Sequence, residues 1–129
     1  MIVDASAVLA VLFDEPDADH YARAIAEAPR CRLSAAGFLE VAIVLESRAG
    51  PAAADELDRF LDRAAIEVAP VTAEHAQAAR RAWRRFGKGN HPAGLNFGDC
   101  FAYALAETAD EPLLFKGGDF ARTDVEAAG

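Results

Sequence analysis

The sequence predicts an α/β fold: a three-layer α/β/α sandwich around a central, mainly parallel sheet of four to five strands. Short apolar runs, "MIVD", "RLSA", "IEVAPV" and "PLLF", alternate with segments of helical length. Strands separated by helices of that length need crossover connections, which lay helices on both faces of a parallel sheet. With 129 residues the chain has the size of one domain with a full core, so residues 1–129 are read as a single domain. Neither a repeat nor a low-complexity linker divides it.

Each element has its own signal. "MIVD" is a short buried strand leading into a helix through Leu12, and Pro16 suits the first turn of a second helix that runs to about Ala28. "RLSA" is the next strand. The run "AGFLEVAIVLESRAG" has helical length and closes on Gly50, after which Pro51 opens another helix through "AAADELDRFLDRA", making a helical hairpin. "IEVAPV" is the third strand, Thr72 caps a helix to Phe86, and "GKGNHPAGLNFG" is a glycine-rich loop. Asn96 then caps "NFGDCFAYALAE", a helix apolar on nearly every face. "PLLF" is the fourth strand, "KGGDF" a turn, and "VEAA" adds an edge strand.

Composition narrows the class of function. A hydrophobic fraction of 53% is high for so small a chain and leaves apolar surface for a partner or a second subunit. Cys31 and Cys100 lie far apart and match no metal or redox spacing, which points to free thiols in a reducing compartment. "MIVDASAVLAVLF" has no basic leader, carries Asp4 and is too short to span a bilayer, so neither a signal peptide nor a membrane anchor is expected and the location read is cytoplasmic.

A net charge of −8 argues, taken alone, against a nucleic-acid partner. The distribution argues otherwise. No acid occurs between Glu74 and Asp99, while Arg80, Arg81, Arg84, Arg85 and Lys88 fall in that gap, interleaved with Trp83, Phe86 and His91. This island is either a solvated helix face or a phosphate-contacting patch. On the second reading Arg84, Arg85, Lys88 and His91 are candidate nucleic-acid contacts, and Trp83 or Phe86 would stack a base.

In a parallel sheet ligands bind outside the carboxyl ends of the strands, and four acids fall there. Asp4 ends the first strand, Glu40 lies in the first turns of the helix after the second, Asp99 begins the helix leading to the fourth, and Asp119 follows the fourth. Singly, Asp4 reads as an N-cap, Asp99 as the capping-box acid three residues after Asn96, and Asp119 as a turn residue. Glu40, set among Phe38, Leu39, Val41, Ile43 and Val44, has no such explanation and needs a partner. Converging carboxylates repel one another by roughly 3–4 kcal/mol per pair at ~4–5 Å and an effective dielectric near 20. No Lys or Arg adjoins Asp4, Glu40 or Asp99 in sequence, so a divalent cation is the expected counter-charge, and oxygen-only ligands select Mg²⁺ or Mn²⁺ over zinc. One or two such ions, held by Asp4, Glu40, Asp99 and Asp119 as metal and catalytic residues, support phosphodiester hydrolysis.

Together "MIVDASAVLAVLFDEP", the lone Glu40 in "FLEVAIVLE", "LNFGDCFAYALA" and "PLLFKGGDF" resemble the PIN-domain ribonucleases, and among them the VapC toxins of bacterial toxin-antitoxin pairs, from Met1 to about Asp124. The resemblance implies a metal-dependent ribonuclease whose acids are Asp4, Glu40, Asp99 and Asp119, with Ser6 as the hydroxyl supporting the metal site and Asn96 as a polar position at its edge. It also implies a homodimer and a small VapB-type antitoxin, for which the helices from Asp17 to Ala28 and from Phe38 to Ala65 offer apolar surface. After the fourth strand, where many relatives place Thr or Ser, this chain has Phe115 and Lys116, so Lys116 becomes a candidate contact to the scissile phosphate. Asp124 is a candidate outer acid.

Two other classes share the outline. A phospho-acceptor signalling domain would need an aspartate at the end of the third strand, and that strand ends in "VAPV". A binding module that keeps the fold without the chemistry would not need all four acids.

Overall fold

The structure, a computed structural model, describes residues 1–129. Four strands, β1 (Ile2–Val3), β2 (Cys31–Ser34), β3 (Ile66–Ala69) and β4 (Leu113–Leu114), pair in parallel in the order β3-β2-β1-β4. Ile2 lies opposite Arg32 on one side and Leu113 on the other, and Cys31 to Ser34 run in register with Ile66 to Ala69. The helices are α1 (Ala5–Leu12), α2 (Ala18–Glu27), α3 (Ala35–Ala49), α4 (Ala53–Arg63), α5 (Ala73–Phe86) and α6 (Phe97–Ala109).

The two-residue period of the strands divides the core. Ile2 and Leu113 pack with Ala78, Ala82 and Phe86 of α5 and with Tyr103 and Leu105 of α6. Val3 and Leu114 face the other way, onto Val8 of α1, Ile25 of α2, Val41 and Leu45 of α3, and Leu57 and Leu61 of α4. Three layers result, as the alternating pattern predicts. A fully buried leucine of this kind contributes about 1.5–3 kcal/mol by leaving water, and Leu33, Leu45, Leu57, Leu95, Leu113 and Leu114 are all essentially inaccessible.

Local signals set the boundaries. The Ser34 hydroxyl accepts from the Ala36 N–H (3.2 Å) at the start of α3, and the helix ends on Gly50 at φ +86°, a left-handed conformation that suits glycine. Thr72 and His75 form a reciprocal capping box on α5. Pro16 and Pro51, expected inside the first turns of their helices, instead lie two residues ahead of Ala18 and Ala53. Asp17 stands at the N-cap of α2 without capping it, because its carboxylate takes Lys116 instead. The expected "VEAA" edge strand shrinks to a parallel bridge between Leu113 and Ala127, fixed by Leu113 N–H to the Glu126 carbonyl (2.8 Å) and Ala128 N–H to the Leu113 carbonyl (2.9 Å). Cys31 and Cys100 are buried free thiols, and no helix is long and apolar enough to cross a membrane.

Candidate active site

The carboxyl ends of β1, β2 and β4 open onto one edge of the sheet, and the four acids come from there. Asp4 is buried at the junction of β1 and α1. Its Oδ2 accepts from the Ser6 N–H (3.0 Å) and the Ser6 hydroxyl (2.6 Å), so it caps α1 and is fixed in orientation. Ser6 Oγ in turn accepts from the Lys116 N–H (3.0 Å), tying the start of α1 to the chain leaving β4. Glu40 is half-buried on α3, in the first turns after β2. Its carboxylate lies over Gly98 at the second position of α6: a Cβ there would fall 2.7 Å from Glu40 Oε1.

Asp99 closes a capping box with Asn96. The Asn96 side chain accepts from the Asp99 N–H (2.9 Å), and Asp99 Oδ2 accepts from the Asn96 N–H (3.0 Å). The capping reading of Asp99 is met by Oδ2 alone, so its other carboxylate oxygen makes no bond to the helix end. Asp119 stands on an exposed turn where the chain enters a 3₁₀ segment, Phe120–Arg122, and its side chain makes no capping bond.

Electrostatics bind the four into one group. Burial raises the Asp4 carboxyl above the usual range against the lowering effect of Ser6, and Asp119 adds to the rise. Glu40 is raised first by burial, then by Asp4 and Asp99. Asp99 is pushed up to about 6, chiefly by burial and further by Asp4 and Asp119, against the bond from Asn96. Not one of the ion pairs in the fold involves these acids. Lys116, whose backbone N–H donates to Ser6, gives its ammonium to Glu15 and Asp17.

The donor set therefore suits a hard divalent cation: all oxygen, surplus in negative charge and unmatched by any cation of the chain. Spacing is less complete. No three acids stand at common ligand distance, so an ion here would be held by fewer than three direct carboxylates with the side chains as they stand.

The basic island divides once side chains are placed. Arg85 pairs with Asp124 (3.2 Å) and lies over the Phe86 ring. His91 packs edge-on against Phe86, with its Nδ1 accepting from the Ala93 N–H (3.0 Å). Phe86 is buried in the core, which removes it as a stacking platform, whereas Trp83 stays 49% exposed. Asp124, bonded to Tyr103 and Arg85, belongs to that surface network and not to the acidic edge. Arg84 and Lys88 are exposed and form no ion pair. Nothing in the sequence signals Gly98 as the bed of Glu40, beyond the oddity of glycine in a first helical turn, or Glu15 and Asp17 as the partners of Lys116.

A parallel α/β/α sandwich with carboxylates gathered at the carboxyl edge of its sheet belongs to the class of α/β proteins that bind their ligands at that edge. The family profile of the PIN domain matches residues 1–126, and the chain belongs to that family. Within it the likeness is to the VapC ribonucleases: the chain is 53% identical over 127 residues to Ribonuclease VapC of Mycolicibacterium smegmatis, covering 98% of each. Solved structures share the fold. VapC20 of Mycobacterium tuberculosis, described as a sarcin-ricin loop cleaving toxin, superposes with TM-score 0.76 at 19% identity over 96% of this chain and 95% of that one. A toxin-antitoxin complex from Klebsiella pneumoniae superposes with TM-score 0.72 at 14% identity over 95% and 92%.

Proposed function

We propose that residues 1–129 work as a single domain, a cytoplasmic metal-dependent endoribonuclease and the toxin of a VapB-type antitoxin. The observation that carries the reading is the group of Asp4, Glu40 and Asp99, each raised chiefly by burial and none paired with a cation of the chain. Similarity to ribonuclease VapC supports the substrate class, and the Klebsiella complex supports a protein partner.

Asp4, Glu40, Asp99 and Asp119 would hold one or two Mg²⁺ or Mn²⁺ ions. Such an ion supplies a Lewis acid that lowers the pKa of water and neutralises charge building on a phosphodiester. The chain's own part is positioning. Ser6 fixes the Asp4 carboxylate, Asn96 fixes that of Asp99, and Gly98 gives Glu40 room to lie at the start of α6. Arg84 and Lys88, free of intramolecular partners, would draw the RNA backbone toward an edge whose own charge repels it.

A homodimer and an antitoxin each need apolar surface. On α3, Leu39 and Ile43 stand 58% and 57% exposed one turn apart, a stripe suited to a helical partner. Cleavage of a structured RNA that requires Mg²⁺ or Mn²⁺, stops with EDTA and disappears in Asp99→Asn is the expected result. Metal-independent cleavage, or full activity of that variant, would overturn the reading.

A further inference from the structure

Beside the acidic edge, between α5 and α6, lies an apolar groove of about 610 Å³. Trp83, Leu95, Phe97 and Phe101 line it, with Arg80 and Lys88 as its basic members. Phe97 is 80% exposed and meets Phe101 edge-on, with ring centroids 5.0 Å apart. The indole of Trp83 packs closely over Gly87, where a Cβ would fall 2.4 Å from its Cδ1 and 2.8 Å from its Nε1, and Asn90 Nδ2 donates to the Trp83 backbone carbonyl (3.0 Å). The groove reaches the active edge through Asn96, which lines it and also donates its N–H to Asp99.

An aromatic slot could receive a protein segment or a base. Charge decides between them. The molecule carries net −8, yet every charged residue lining this groove is basic, and the stretch from His75 to Gly98 that builds most of it contains no acid. Arg80 reaches only the neutral Gln77 (2.8 Å), so its charge is unneutralised. A flat apolar wall with free cations along it matches a nucleobase attached to its phosphates.

We propose that the α5–α6 groove is a base-binding subsite for an unpaired RNA nucleotide beside the scissile bond. One base stacks on the aromatic wall of Trp83 and Phe97, and Arg80 and Lys88 hold the flanking phosphates. The inference rests on the ribonuclease reading and deepens it: recognition falls on single-stranded positions of the substrate, because a base inside a duplex is not free to enter.

Trp83 is the only tryptophan in the chain, so its fluorescence reports on the groove alone. A fluorescein-labelled oligouridylate is titrated into the full chain in EDTA at low salt, following Trp83 emission and dye anisotropy together. Saturable quenching that tracks anisotropy is expected, with binding about tenfold weaker in Phe97→Ala and a salt slope reduced by about one in Lys88→Ala. Phe97 is so exposed that its truncation leaves the fold intact. Binding without quenching, no binding, or quenching that Phe97→Ala does not weaken overturns the subsite. A blue shift of Trp83 with protein concentration alone, matched by doubled mass in sedimentation, also overturns it by placing a second copy in the groove. Metal-dependent cleavage is measured separately, so the subsite can fail while the nuclease stands, and the reverse.

Discussion

Glu40 rests on the bare Cα of Gly98: the space a Cβ would fill at position 98 lies 2.7 Å from Glu40 Oε1 and 3.2 Å from its Cδ. This contact joins α3 to the first turn of α6, the turn that also carries Asp99. In Gly98→Ala the mobile end of the glutamate must swing away, which the fold tolerates. Removing glycine from a helix adds up to about 1 kcal/mol of stability, while displacing the carboxylate by about 1 Å costs cleavage on the order of 100-fold. Denaturant melts and kcat/KM on one RNA should thus move in opposite directions; parallel loss of both would mean that the contact serves folding and not the site.

Much of this arrangement was legible in the sequence because its signals are local. Strand runs, caps at Asp4, Thr72 and Asn96, the capping-box place of Asp99, and the places of Glu40 in the first turns of α3 and of Asp119 after β4 all follow from short-range pattern. Pairings distant in sequence were not legible. Lys116 reads equally well as a phosphate ligand until the turn between α1 and α2 brings Glu15 and Asp17 to it. Arg85 and His91 look free until Asp124 and Phe86 are placed beside them. Phe86 and Trp83, three residues apart, differ only in which side of α5 faces Tyr103.

Lys116 gives the second prediction. Its ammonium is held by two carboxylates, which raise its pKa further above the ordinary lysine value. The stabilisation is therefore complete at neutral pH and fades only as pH climbs through that raised pKa. Lys116→Met should lower the urea midpoint slightly, with the difference shrinking in high salt because the pair is partly exposed. Cleavage should stay within about threefold of the parent. A large drop in kcat at unchanged stability would restore the lysine to the scissile phosphate.

The third prediction concerns Asp99 without divalent ions. Its carboxyl titrates near 6 in the fold and near 3.8 when unfolded. Between those values the native state binds the extra proton, so stability falls as pH rises through that window. Asp99→Asn keeps an oxygen to accept from the Asn96 N–H but carries no charge. In EDTA at pH 7.5 it should be more stable than the parent by about 1–2 kcal/mol, a figure discounted for solvent screening, and the advantage should disappear near pH 4. Added Mg²⁺ should stabilise the parent and leave the variant unmoved. Equal melting curves at both pH values would show that the carboxylate is not under strain.

Ser6 supplies the last prediction, because one hydroxyl serves two elements. It donates to Asp4 Oδ2 (2.6 Å) and accepts from the Lys116 N–H (3.0 Å), so it orients the most buried acid and anchors the chain beyond β4. Ser6→Ala leaves that N–H without its acceptor and removes a bond that favours the ionised form of Asp4. The first loss costs about 1–3 kcal/mol. The second pushes the Asp4 carboxyl still higher, so the acid limb of the kcat/KM profile should move to higher pH. Ser6→Thr keeps the hydroxyl and should recover both stability and the parent profile, whereas loss of stability with an unmoved acid limb would confine Ser6 to holding the fold.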